Sequence, residues 1–186
     1  MKDLKDYVRT IPDFPEKGVM FRDITSVLQD PEGLKLAIDK MQEKVEKLEF
    51  DVVVGAESRG FLFGMPIAYN LNKAFVPVRK KGKLPGETIS ESYDLEYGSA
   101  TLEIHKDAIK PGQKVVIVDD IVAVGGTMDA IVKMIETVGG ELVGMVALMG
   151  LTSLPGVEKL TPKGLKCLIY DDVKDETREI YISLNM

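Results

Sequence analysis

The chain has 186 residues, of which 45% are hydrophobic, and its formal net charge at pH 7 is −6. This length and composition suit a single domain, residues 1–186, with a sizeable core, and the acidic balance argues against general nucleic-acid binding, which needs a broad basic surface. Because the chain shows neither an apolar run of about eighteen residues nor a basic-then-apolar leader, we expect no membrane insertion and a cytoplasmic location.

The first segment is interrupted by proline. Pro12-Asp13-Phe14-Pro15 cannot continue a helix, so an ordered loop or arm is predicted there. Asp30 and Pro31 then suit the N-cap and the first residue of a helix whose apolar residues recur on one face.

Strands and helices alternate along the rest of the chain. Strands are predicted over Asp51–Gly55, Ala74–Val78, Ala100–Ile104, Lys114–Val118, Glu141–Met149 and Gly164–Tyr170. Helices are predicted over Phe61–Leu71 and Thr127–Val138, and a long turn-rich excursion over Gly82–Gly98. This order predicts an α/β fold with a mostly parallel, doubly wound sheet.

One strand leads directly into chemistry-bearing residues. Four β-branched residues, Val115–Val118, precede Asp119 and Asp120, which would lie at the carboxyl end of a buried strand. Adjacent carboxylates can accept hydrogen bonds from a vicinal diol such as that of ribose. Gly125 and Gly126 allow close backbone approach, and a helix beginning after them would complete an anion cradle. The stretch is therefore interpreted as a ribose-phosphate site.

Three other interpretations compete with this one. Aliphatic residues followed by paired acids also open phosphorelay receiver domains, but there the acids lie near the first strand and not two-thirds of the way along the chain. A buried strand can also simply end in solvated acids. A dinucleotide site is disfavoured because no Gly-x-Gly-x-x-Gly follows an apolar strand.

Two further segments suit anions. Gly55–Gly60 forms a second strand-loop-helix connection, in which Arg59 adds a charged donor. Arg79, Lys80, Lys81 and Lys83 form a cationic cluster in an otherwise acidic chain, as a small polyanion would require. A solvated loop is the alternative reading of that cluster.

The stretch from Val115 to Thr127 resembles the 5-phosphoribosyl 1-diphosphate (PRPP) signature of the purine and pyrimidine phosphoribosyltransferase family. The family usually has four aliphatics, two acids, two apolar residues and then Ala-Thr-Gly-Gly-Thr, so this chain departs at Val124. The resemblance implies a type I phosphoribosyltransferase-like fold. It also assigns the 5′-phosphate to the loop Ala123, Val124, Gly125, Gly126 and Thr127. Because such loops hold phosphate largely through backbone N–H groups, we expect weaker PRPP binding at most.

Three other segments resemble the adenine-specific branch of that family: residues 12–25, 79–86 and 92–98. The resemblance implies an N-terminal hood arm of about residues 1–30 over the base and a flexible catalytic loop of about residues 79–98. It implies transfer of the phosphoribosyl group to N9 of adenine, giving AMP and pyrophosphate in purine salvage. The alternatives are a xanthine or other purine phosphoribosyltransferase, which would differ around Met20 and Arg22, and a non-catalytic PRPP-sensing regulator.

The resemblance also implies roles for individual residues. Pyrophosphate would be bound by Glu57, Ser58, Arg59, Arg79, Lys80 and Lys83. Adenine would be bound by Met20, Phe21, Arg22 and Ile121. The catalytic residues would be Glu96, Asp119, Asp120, Arg59 and Lys83, with Glu96 transferring a proton at the purine imidazole.

Partners and cofactor follow from the same resemblance. Mg²⁺ would arrive with PRPP, since no cluster of His, Cys or carboxylates suggests a dedicated cage. Cations of the flexible loop reach a neighbouring subunit in some relatives, which implies a homodimer.

The alternative for Phe21 and Arg22 is that they only pack the hood, with Arg22 paired to Asp23.

Overall fold

The computed structural model describes residues 2–15, 17–94 and 98–172. Within them lie nine strands, numbered β1 to β9 in chain order: Arg9–Pro12, Met20–Asp23, Val52–Ala56, Ala74–Lys80, Thr88–Asp94, Ser99–His105, Lys114–Val122, Glu141–Leu151 and Leu165–Asp171. The α-helices of the same residues, α1 to α5, span Thr25–Gln29, Pro31–Glu43, Arg59–Asn70, Gly126–Thr137 and Pro155–Leu160. None of these helices has the length and apolar character needed to cross a membrane.

A seven-stranded sheet forms the centre of the molecule, in the order β5-β6-β4-β3-β7-β8-β9. The five strands from β4 to β9 in that order run parallel, and β6 and β5 extend the sheet antiparallel. The predicted α/β class and mostly parallel sheet are therefore confirmed.

Helices cover both faces of this sheet because its central strands are apolar on both sides. On one face Val53 and Val116 pack in a cluster with residues of α2 and α3. On the other face Val54 and Ile117 pack in a second cluster with residues of α4. The sheet is thus doubly wound, and its strand ends are left open between the helices.

One segment differs from the prediction. The excursion Gly82–Gly98 is not only turns, because Thr88–Asp94 forms β5 and pairs with β6 over its full length. Ile89 and Tyr93 are the apolar residues of this strand, and such weak alternation does not predict a strand. The arm agrees with the prediction, because residues 13–15 lie in the loop after Pro12 that joins β1 to β2, and these two strands pair as an antiparallel hairpin. The helix predicted to begin at Asp30 and Pro31 is α2, and the prediction is confirmed: the Asp30 side chain caps α2, and Pro31 is its first residue.

Candidate active site

A cleft of about 670 Å³ opens at the carboxyl ends of β3, β4 and β7. This is where ligands bind in open α/β sheets. Its lining comes from the segments 56–59, 80–81, 99–102 and 119–128, together with Tyr93. The fold therefore brings the predicted carboxylates, phosphate loop and second anion loop to one site.

Asp119 and Asp120 lie near the carboxyl end of strand β7. Asp119 and Asp120 are both buried, although they line the cleft. Arg59, the first residue of α3, places its Nε 2.5 Å from Asp120 Oδ2. That N–H does not point at the oxygen, so within the described residues Asp120 Oδ2 is buried without a hydrogen bond. A buried acceptor of this kind is suited to a donor supplied by a ligand.

The environment of Asp119 disfavours its ionised form. Burial, and then the charge of Asp120, raise the pKa of Asp119 well above its ordinary value. The backbone N–H of Asp120 donates to Asp119 Oδ1 at 2.8 Å, which opposes this shift only in part. Ionisation of Asp119 is therefore unfavourable until donors enter the cleft.

The loop 123–127 surrounds the amino terminus of α4. Gly125 is the N-cap residue with φ of +86°, and no side chain caps the first turn. Its backbone N–H groups thus lack a side-chain acceptor, and together with the helix dipole they form an anion site that faces the cleft. Val124 also lines the cleft, and its side chain has no hydroxyl to donate to an anion there.

The second anion loop, Gly55–Gly60, is anchored by hydrogen bonds to the Glu57 carboxylate. Glu57 Oε2 accepts from Arg79 Nε at 2.8 Å, and Glu57 Oε1 accepts from the backbone N–H of Lys80 at 3.0 Å. Burial opposes ionisation of Glu57, but these donors outweigh it and lower its pKa. Glu57 thus ties the loop to the end of β4, and its neighbour Ser58 lines the cleft.

The cations of the cluster divide into two groups. Lys80 and Lys81 line the cleft, whereas Arg79 and Lys83 are not among its lining residues. The guanidinium of Arg79 is engaged by Glu57 and by the carbonyl oxygen of Lys83 at 3.2 Å. Arg79 therefore shapes the turn that presents the two lysines.

The hood residues Met20, Phe21 and Arg22 lie on β2, outside the cleft lining, whereas Ile121 lines it. Arg22 Nε pairs with Asp171 Oδ2 at 2.6 Å. Asp23, the alternative partner considered for Arg22, instead holds Arg9 at 2.6 Å. The pair of Arg22 thus joins the hood to the end of β9, 149 residues further along the chain.

Some site residues fall outside the predictions or outside the described residues. Glu96 lies in 95–97, beyond the described ranges. Tyr93, Ser99 and Thr101 line the cleft without having been assigned a role. In the sequence, Tyr93 belongs to the segment 92–98, and Ser99 and Thr101 follow closely after it. The pairing of β5 with β6, which places these residues at the cleft, has no local signal in the sequence.

Comparison with known proteins identifies relatives of this site. A family model described as "Phosphoribosyl transferase domain" matches residues 23–175. The adenine phosphoribosyltransferase of Lachnoclostridium phytofermentans is 67% identical over 160 residues, covering 86% of this chain and 92% of that protein.

Solved structures agree with that match. The crystal structure of adenine phosphoribosyltransferase from Thermoanaerobacter pseudethanolicus superposes with a TM-score of 0.85 at 49% identity, covering 90% of this chain and 98% of that one. The Saccharomyces cerevisiae enzyme, complexed with an imino-altritol bisphosphate and adenine, has a TM-score of 0.81 at 40% identity, with 89% and 96% covered.

Proposed function

The chain belongs to the phosphoribosyltransferase family, and from this membership we propose its reaction and the residues that perform it. It is an adenine phosphoribosyltransferase: a pentosyltransferase that joins the 5-phosphoribosyl group of PRPP to N9 of adenine, releasing pyrophosphate and forming AMP for purine salvage. The observation that carries this function is the identity of 67% to an adenine phosphoribosyltransferase over 86% of the chain. A cleft that places two carboxylates beside an anion loop supports it.

Ribose 5-phosphate is held by the end of β7 and the loop after it. The diol donates to Asp119 and Asp120, and one donor would satisfy the buried Asp120 Oδ2. The 5′-phosphate accepts from the backbone N–H groups of 123–127 and from the hydroxyl of Thr127. These contacts orient the sugar so that its anomeric carbon faces the rest of the cleft.

Bond cleavage develops opposite charges on the two parts of PRPP. Positive charge grows on the ribose ring and is balanced by the buried carboxylates, while negative charge grows on the departing pyrophosphate. Ser58, Arg59 and Lys80 line the cleft where they can donate to that leaving group. Arg59 would exchange its contact with Asp120 for the pyrophosphate, and Lys83, on the turn held by Arg79, would add a cation.

Adenine is placed between Ile121 and the hood. The guanidinium of Arg22 is occupied by Asp171, which favours main-chain groups of Met20–Arg22 as readers of the purine edge. A main-chain carbonyl and amide match the donor and acceptor of adenine, whereas a 6-oxopurine presents the reverse pattern and leaves buried groups unpaired. Glu96 would manage the proton of the imidazole as N9 attacks.

Magnesium fits the site as an ion brought by PRPP. The described residues hold no group of three or more His, Cys, Asp or Glu side chains able to bind a metal. Asp119 and Asp120 alone suit Mg²⁺ that keeps phosphate and water ligands. When bound, the ion supplies neutralisation of pyrophosphate charge.

A homodimer in the cytoplasm completes the proposal. Leu62, Met65 and Tyr69 lie at helical spacing on α3, with 47%, 50% and 84% of their surfaces exposed. This stripe is continuous with the helix that begins at Arg59, so a second copy seated on it would lie next to the active site. Sedimentation equilibrium should give twice the chain mass, and a monomer would contradict the dimer.

Pyrophosphate release tests the reaction. With PRPP and Mg²⁺, we expect turnover with adenine and none with hypoxanthine, guanine or xanthine. Turnover with an oxopurine would contradict the proposed recognition of adenine by the hood. PRPP binding without turnover would favour a regulator. In the same assay Glu96→Gln should lower kcat, whereas the control Glu91→Gln, whose carboxylate faces Lys133 at 3.8 Å, should not.

A further inference from the structure

Tyr93 occupies a position that connects β5 with the phosphate loop. Its hydroxyl lies 3.1 Å from Thr127 Oγ1, within hydrogen-bond distance. Its ring packs against Gly126, where an added Cβ would be 2.7 Å from Cδ2 and 3.1 Å from Cε2 of the ring. The ring is half-buried and packs against the core cluster that includes α4. Tyr93 is thus fixed by packing, with its hydroxyl aimed at the last residue of the loop.

We propose that Tyr93 is a positioning residue for the 5′-phosphate, acting through the hydroxyl of Thr127. A threonine hydroxyl has one proton to donate and two lone pairs with which to accept. If Tyr93 donates to Thr127 Oγ1, the single proton of Thr127 is free to point at a phosphate oxygen. The result is a chain of two aligned hydrogen bonds ending on an anion, in which each bond polarises the next. This inference rests on the function proposed above.

The packing of β5 on α4 does not depend on the hydroxyl alone. Glu91 of β5 faces Lys133 of α4 at 3.8 Å, and the Tyr93 ring covers Gly126. Removing the hydroxyl and keeping the ring therefore leaves the strand in place and changes only the orientation of Thr127. A purely structural role for Tyr93 would require the ring and not the oxygen.

Binding of AMP to Tyr93→Phe tests the inference. AMP carries the 5′-phosphate but no pyrophosphate, so titration calorimetry with AMP reports the phosphate loop. Loss of one oriented hydrogen bond should weaken AMP binding about two- to tenfold and raise the KM for PRPP by a similar factor. The KM for adenine and the affinity for pyrophosphate with Mg²⁺ should not change, nor should Tm by more than about 2 °C.

Ser92→Ala is the matched control. Ser92 is the neighbour of Tyr93 on β5, and its hydroxyl bonds Thr101 Oγ1 at 2.7 Å within the sheet. The variant removes a hydroxyl from the same strand without touching the phosphate loop, and it should bind AMP as the parent does. An equal loss of affinity in both variants would assign the effect to the strand and overturn the inference.

A double-mutant cycle separates orientation from general weakening. Thr127→Val removes the mediating hydroxyl, so Tyr93→Phe should cost nothing further in that background. Additive losses would overturn the inference, as would a Tyr93→Phe protein with parental AMP affinity. If the parent protein itself binds no AMP, the proposed function fails first and this inference fails with it.

Discussion

Gly156→Ala should impair PRPP binding far more than its single added methyl group suggests. Gly156 lies buried in α5, and its backbone N–H donates to the carbonyl oxygen of Ala123 at 3.0 Å. An added Cβ would lie 2.4 Å from that oxygen, 2.7 Å from the N of Gly125 and 2.8 Å from the carbonyl carbon of Val124. All three atoms are backbone atoms of the phosphate loop.

The size of the effect follows from these distances. Ordinary Cβ contacts begin near 3.4 Å, so the loop or α5 must move by roughly 1 Å. Overpacking of this kind costs about 1–3 kcal/mol, which lowers Tm by about 2–10 °C for a chain of this size. A loop amide displaced by about 1 Å loses much of a hydrogen bond to a charged phosphate, worth about 1.5–3 kcal/mol. The KM for PRPP and the dissociation constant of AMP should therefore rise about 10- to 100-fold.

Steady-state kinetics, AMP calorimetry and scanning calorimetry measure these quantities together. Gly144→Ala is the control, because its Cβ would meet only Leu48 Cδ1 at 2.7 Å, a movable side-chain end. It should keep the parental KM for PRPP. A Gly156→Ala protein with reduced Tm but parental KM would show that α5 yields instead of the loop, and would refute this account of loop support.

Two further changes probe β7 and the loop. Asp119→Asn should lower turnover. Because burial and the Asp120 charge raise the folded-state pKa of Asp119, the parent loses stability as pH rises from about 4 through that pKa. The gain in Tm of the variant should therefore be smallest at or below about pH 4 and grow above it; calorimetry showing a growing loss would contradict this. Val124→Thr should lower the KM for PRPP by less than about threefold, and an improvement beyond about tenfold would show that a side-chain hydroxyl dominates phosphate binding.

The residues that could be predicted are those whose position depends on their neighbours in the sequence. The run Val115–Val118 predicts a buried strand by composition alone, and Asp119 and Asp120 then fall at its end wherever the strand lies in the sheet. The predicted helix after Gly125 and Gly126 likewise follows from nearby residues, and α4 begins there with Gly125 as its N-cap at φ of +86°.

Residues that depend on distant partners could not be placed in this way. The pairing of Arg22 with Asp171 joins positions 149 residues apart, and nothing near Arg22 distinguishes Asp171 from Asp23 as its partner. The position of Tyr93 at the cleft depends on β5 pairing with β6. The weak alternation of β5 does not predict this pairing. Gly156 shows its importance only when α5 is folded onto the loop.

Two packing contacts explain how the phosphate loop can carry Val124. Gly156 of α5 contacts the backbone of 123–125, and the ring of Tyr93 packs on Gly126. The backbone N–H groups are therefore held in an anion-binding arrangement before a ligand arrives, so little ordering cost remains when phosphate binds. A side-chain hydroxyl at position 124 would add one donor to a cradle already formed by main-chain groups and Thr127. If either contact were absent, Val in place of Thr at position 124 would remove a restraint on the loop as well as a hydrogen-bond donor. The loss of PRPP affinity would then be larger.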